Sequence, residues 1–244
     1  MFPGVGTAIN IVAIVLGSLI GMLLGKKFKE STRNLVTDVL GFITLISGAG
    51  AIYAIWDPNF KRAVPNGWTL LTVLATLLIG AILGSALNIE AKLEGVGIRM
   101  KNKFDPNGTS PFVDGFVSAS LIFAIGPLAI LGSISDGMGT GIDQLVLKSM
   151  LDFFASIAFA ASLGWGVALS ALAVGIYQSI WTLLGLFLGA ILADYQISTM
   201  TAVGGVMLLG IALRLLKIRD IAVGNLLPAL AIAPVMALLV HQFL

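Results

Sequence analysis

Asp152 lies about two turns inside the apolar run LKSMLDFFASIAFAA, where an ionised carboxylate facing lipid costs about 2.5–3.5 kcal/mol on insertion scales. It must therefore face protein or water. Lys148 precedes it by one helical repeat and shares its helix face. That spacing allows two chemistries. One is an intrahelical ion pair that does no more than neutralise both charges. The other is a carboxylate that binds a cation or carries a proton in a cavity directed at the membrane midplane.

A second set of residues lies in VDGFVSASLIFAIGPLAILGSISDGMGTG, which is apolar enough to span a membrane yet interrupted at its centre. Pro127 has no N–H, and its ring displaces the carbonyl of Phe123; beside flexible Gly126 this breaks or kinks a helix. Carbonyls freed at membrane depth need a partner or a water-lined cavity. Ser118 and Ser120 precede the break by one to two turns, and Ser133 and Ser135 follow it. Discontinuous helices that offer carbonyls and hydroxyls near the midplane are how several transporters hold small solutes or cations. An ordinary proline kink is the plainer alternative.

The run Asp114-x-Phe116-x-Ser118, followed by Gly126, recurs at identical offsets as Asp152-x-Phe154-x-Ser156, followed by Gly164. The substrate- or ion-binding set expected from these features is Asp152, Ser118, Ser120 and Ser156 as ligands, with Gly126 and Pro127 as the break. Asp114 is expected at the mouth and Gln178 in the cavity. Asn10, Tyr177, Ser179, Asn225, Pro228 and Pro234 extend a polar path through otherwise apolar runs.

The elements that must position these residues are membrane helices. Of the 244 residues, 58% are hydrophobic and 11% charged, and the mean hydropathy is +1.03; a soluble domain of this length needs more charge to cover its surface. Apolar runs of bilayer-spanning length fall at roughly 5–25, 34–56, 68–88, 112–134, 145–163, 167–193, 198–216 and 222–242. The fifth and sixth are divided only by Gly164-Trp165-Gly166. Lys and Arg arbitrate. With eight spans, only Lys61, Arg62 and Lys148 fall on one side, and all the other basic residues fall on the opposite side. The positive-inside rule then places both termini outside the bacterial cytoplasmic membrane. Residues 89–111 read as an amphipathic helix on the cytoplasmic face, IEAKLEGVGIRMKNKF, and a turn-rich linker. The whole chain reads as a single integral membrane domain, an all-α polytopic bundle.

Three spans carry Gly-xxx-Gly pairs, Gly17/Gly21, Gly80/Gly84 and Gly185/Gly189, which clear a helix face for close packing or for a homodimer. Spans one and two resemble spans six and seven, an odd offset that makes the copies inverted repeats, as in many secondary transporters.

Several chemistries are excluded. The chain has no Cys and one His, His241, near its C-terminus, which removes thiol chemistry, Cys/His metal sites and a Ser-His-Asp triad. No phosphate loop is present, no cofactor is expected, and the basic residues flank spans as topology signals, with no nucleic-acid surface.

The run Ala119-Ser120-Leu121, Gly126-Pro127, Gly132-Ser133-Ile134 and Asp136-Gly137, together with GTAINIVAIVLGSLIGMLLG near the N-terminus, resembles the bacterial YqgA/YdfK-like integral membrane proteins. The resemblance covers essentially the whole chain. It implies a member of a domain-of-unknown-function family described as possible transporters, without fixing its chemistry. The expectation is a non-enzymatic secondary transporter or facilitator for a small solute or inorganic cation. The alternatives are a membrane scaffold or assembly protein and a gated channel.

Overall fold

The computed structural model describes residues 2–25, 29–64, 67–104, 111–124, 127–188 and 192–243, and among these there is no strand. In chain order the α-helices are α1 (Val5–Gly25), α2 (Glu30–Ile52), α3 (Pro58–Ala63), α4 (Trp68–Ala86), α5 (Ile89–Phe104), α6 (Phe112–Ala124), α7 (Pro127–Met138), α8 (Asp143–Leu163), α9 (Gly166–Leu188), α10 (Asp194–Leu215) and α11 (Leu227–Phe243). Short 3-10 turns at Tyr53–Trp56 and Val223–Leu226 precede α3 and α11. Seven helices are long and apolar enough to cross a bilayer, and α6 with α7, bent by 79°, form an eighth segment. The polytopic bundle expected from the sequence is the fold observed. Gly164, at φ +79°, ends α8 in a conformation that disfavours side chains, so Gly164-Trp165 is a true turn between two spans. The sequence LGWG thus does what the charge distribution required of it.

The described helices pack as two compact units interleaved along the chain. The first comprises residues 1–40 and 94–191, the second residues 41–93 and 192–244. In the first unit α1 and α8 run parallel: a Cβ on Gly17, Gly21 or Gly25 would meet the carbonyls of Phe153, Ile157 and Ala161 in turn. Backbones this close exclude any side chain larger than hydrogen. α9 runs antiparallel to α1, since Gly175 lies against Ile11 and Thr182 pairs with Thr7. The bent pair climbs α9. Gly166, at the base of α9, lies against the carbonyl of Phe112, and Gly137 lies against that of Thr182, about 24 Å further along at 1.5 Å per residue. A re-entrant loop would return to the end it left, so α6 and α7 together make one broken span. In the second unit α4 and α11 run antiparallel, Gly80 against Ala229 and Gly84 against Asn225. The Gly-xxx-Gly faces that are described are filled within the chain; Gly189 lies outside the described residues.

The amphipathic segment is helical as expected, whereas the linker at 105–110 lies outside the described residues.

Candidate functional site

The contact face of α1 and α8 is apolar except for a line of polar residues. Asn10, on α1, donates through Nδ2 to Asp152 Oδ2 at 3.0 Å, and Lys148 Nζ forms an ion pair with the same oxygen. All three side chains are buried, Asp152 being 7% exposed. The pairing of Lys148 with Asp152 that helical spacing predicted is present. It explains how the chain carries two charges at membrane depth: each supplies the other's counter-charge, and Asn10 adds a third group. One turn further along α8, Ser156 is fully buried and its hydroxyl has no partner among the described residues.

The other half of the centre comes from the broken span. Phe123, near the end of α6, packs edge to face on Phe159 with ring centroids 6.1 Å apart, and Gly132 in α7 lies against Leu145. Along α8, the stretch between those two contacts holds Asp152 and Ser156. The junction of the half-helices therefore falls at the level of the acid. The last carbonyls of a helix and its first N–H groups have no partner within the helix, and the end of α6 and the start of α7 are two such ends. Ser120, before the junction, and Ser133, after it, are buried with unpartnered hydroxyls, and Ser118 is buried beside them. Gly126 lies outside the described residues, and Pro127 is described only as the first residue of α7.

Gln178 completes the set from α9. It is 0% exposed, and neither its Oε1 nor its Nε2 finds a partner. A buried amide that makes none of its hydrogen bonds is costly, and such groups in native proteins call for an explanation. Every buried side-chain polar atom without a partner among the described residues, including Asn10 Oδ1 and Ser18 Oγ, belongs to the first unit. Among the described residues, the second unit has no fully buried side-chain polar atom without a partner. Gln196 accepts from the Ala193 N–H and donates to the carbonyl of Pro234, at 2.8 and 2.9 Å. Asn225 Oδ1 accepts from the Glu90 N–H at 2.9 Å. The second unit uses its polar residues to close the fold, whereas the first leaves hydrogen-bonding capacity unspent.

Asp114 sits exposed in the first turn of α6, apart from the buried set. The Asp-x-Phe-x-Ser echo keeps its environment only at the serines: Asp114 is exposed and Asp152 buried, while Phe116 is 4% and Phe154 68% exposed. Two further acids near helix ends are buried. Asp136 belongs to α7 and accepts from the Gly6 N–H at the start of α1 at 3.0 Å. Glu90 accepts from Arg214 and from the Gly224 N–H, both at 2.5 Å, and so ties the start of α5 to the end of α10. Their positions near helix ends disguised them, since only the fold brings Gly6 and Gly224 to them.

A second polar place is an open cleft of about 380 Å³ in the second unit, lined by Asn59, Arg62, Asp194, Tyr195 and His241. His241 Nδ1 donates to the Ala63 carbonyl at 2.8 Å, and Asn59 bonds both Arg62 and Asp194, at 2.8 and 3.5 Å. None of its side chains is among the buried groups left without a partner, so it lacks what sets the first unit apart. No cluster of three metal-ligating side chains occurs among the described residues.

Apolar helices with a partly broken span and a buried polar centre define a polytopic helical membrane protein. The chain belongs to the family described as Protein of unknown function (DUF554), which it matches over residues 5–238. It is 31% identical over 239 residues to "Uncharacterized membrane protein YdfK" of Bacillus subtilis (strain 168), covering 98% of this chain and 97% of that one. It is 29% identical over 233 residues to "Uncharacterized protein YqgA" of Escherichia coli (strain K12), covering 94% of each. No solved structure matches it.

Proposed function

We propose that the protein is a secondary transporter or facilitator of a small solute or inorganic cation in the bacterial cytoplasmic membrane, with both termini outside and no enzymatic activity. One observation carries the reading: among the described residues, unpartnered buried side-chain polar atoms are confined to the unit that holds the broken span, and two of them, Ser120 Oγ and Ser133 Oγ, lie on the helices that frame the break. A protein that only packed would lose stability to each of them. A solute that hydrogen-bonds at this centre recovers that loss, and half-helix ends supply donors and acceptors that a continuous span lacks. Asp152, Ser118, Ser120, Ser156 and Gln178 are the ligands of this reading, and the Gly126-Pro127 break makes the half-helix ends available. A scaffold that recruits partner helices is the rival. The described glycine faces it would offer are occupied by this chain's own helices, and a homodimer built on them would have to break those contacts.

The test is flux through purified protein in liposomes. Light scattering would follow osmotic swelling in gradients of glycerol, small polyols and neutral amino acids, and entrapped dyes would follow alkali and divalent cations. The expected result is flux of one class, lost in Gln178→Met. Folded protein that moves none of these probes would overturn the reading and favour the scaffold.

A further inference from the structure

The buried charges of the first unit do not balance. Among its described residues they are two carboxylates, Asp136 and Asp152, and one ammonium, Lys148. Asp136 is compensated only by the Gly6 N–H at the start of α1, where the helix dipole supplies roughly half a positive charge. The centre is one cation short. Lys148 also lies between the two acids. Asp152 is one turn deeper along α8, and Leu145, one turn toward the helix start, lies against Gly6 at the point where Asp136 Oδ2 arrives. A lysine stem is long and flexible enough to carry its ammonium across such a distance.

The oxygens around Asp152 supply the second observation. Asn10 and Lys148 both contact Oδ2 and leave Oδ1 without either bond. Asn10 Oδ1 and Ser156 Oγ, on residues 0% exposed, have no partner. Ser156 shares the α8 face of Asp152 and lies against Gly17 of α1, two turns along from Asn10. One carboxylate among neutral oxygens suits a monovalent cation, whereas a calcium site gathers six to eight oxygens, several of them from carboxylates.

Resting on the transport reading of this same centre, we propose that Lys148 is an exchangeable internal cation. A monovalent alkali cation takes its place on Asp152, Asn10 Oδ1 and Ser156 Oγ while the ammonium moves one turn to Asp136. Both carboxylates are then paired and the buried charge sums to zero. With the ammonium on Asp152 and no alkali ion bound, the centre keeps one net negative charge, and this difference couples ion binding to a local rearrangement at the C-terminal end of α7.

Thermal unfolding of the full-length protein in nanodiscs tests this, with LiCl, NaCl or KCl set against choline chloride at constant ionic strength. One alkali cation should raise the Tm of the wild type saturably. Lys148→Met should reach half-saturation at a concentration about tenfold lower, a change of 1.4 kcal/mol. Asp152→Asn should abolish the response. Asp136→Asn should weaken it about tenfold in the wild type and leave it unchanged in the Lys148→Met background, because only the shuttling ammonium needs Asp136. If Asp152→Asn does not fold, Asn10→Ala and Ser156→Ala replace it, each expected to weaken the response. A flat Tm in both wild type and Lys148→Met, or an Asp136→Asn response equal to wild type, overturns the proposal. Cation response without flux of any probe in liposomes would leave this inference standing and remove the transport reading; flux without cation response would do the reverse.

Discussion

At the scale of single residues, the centre is held together by groups that would each be unfavourable alone. Removing one partner of a buried ion pair typically costs about 3–5 kcal/mol, because the other charge is left uncompensated, whereas replacing both with apolar groups of similar volume is close to neutral. In choline buffer, Asp152→Leu and Lys148→Met should each lower the unfolding midpoint sharply, and the double variant should recover most of the loss; an additive double-mutant cycle would contradict the pairing. Gln178 predicts the opposite sign. Its unpartnered amide costs about 1–3 kcal/mol, so Gln178→Met should stabilise the protein by that order in denaturant titrations while abolishing flux. A stabilised and still active variant would remove Gln178 from the site. Asp152 and Gln178 could be found in the sequence because polar residues within apolar runs have few bland explanations. Asp136 and Glu90 could not, because an acid near a helix end reads as solvated until the fold brings backbone N–H groups from distant segments to it. Asn10 was visible as a polar residue, but its partner, far along the chain, was not.

At the scale of elements, close approach of backbones decides what each helix tolerates. A Cβ on Gly21 would sit 2.3 Å from the Ile157 carbonyl oxygen, and neither helix can yield without separating from its neighbour. Gly21→Ala should cost about 1–3 kcal/mol, as overpacking does elsewhere. Gly50, in α2, has nothing within 4 Å of that position, and Gly50→Ala should be neutral or stabilising by up to about 1 kcal/mol through helix propensity. Equal effects in a thermal melt would refute this account of the glycine faces. Glu90 plays the corresponding part at the start of α5: Glu90→Ala leaves the Gly224 N–H unpaired and should speed tryptic cleavage at the exposed Lys92. Helix positions, the turn at Gly164 and the break near Pro127 were legible because hydropathy, charge and Pro/Gly chemistry are local signals. The choice of neighbours was not. Gly17/Gly21, Gly80/Gly84 and Gly185 look alike in sequence, yet they meet α8, α11 and α7 respectively. Nothing local announces that spans one and six pack in the same unit and span seven in the other.

At the scale of the whole molecule, the parallel run of α1 and α8 bears on the number of crossings the proposed topology needs. α1 and α8 run parallel, so an even number of crossings separates their starts from the same side: α1, α2, α4 and one more. The segment available to supply the fourth is the bent pair α6–α7, in agreement with its climb along α9. In the proposed topology eight crossings return the C-terminus to the side of the N-terminus, and the distribution of Lys and Arg predicts that side to be outside. The chain contains no Cys, so each introduced thiol is the sole reporter. In right-side-out vesicles, Phe2→Cys and Gln242→Cys should both react with a membrane-impermeant maleimide, whereas Lys29→Cys and Asn102→Cys should react only after permeabilisation. Termini on opposite faces would mean seven crossings and a re-entrant α6–α7. The half-helix ends would then be reached from one side only, and a pathway across the membrane at Asp152 would have no second mouth. Termini together, with Asn102 inside, leave the broken span between two aqueous faces, which is the arrangement a solute needs if it is to enter at one end of α9 and leave at the other.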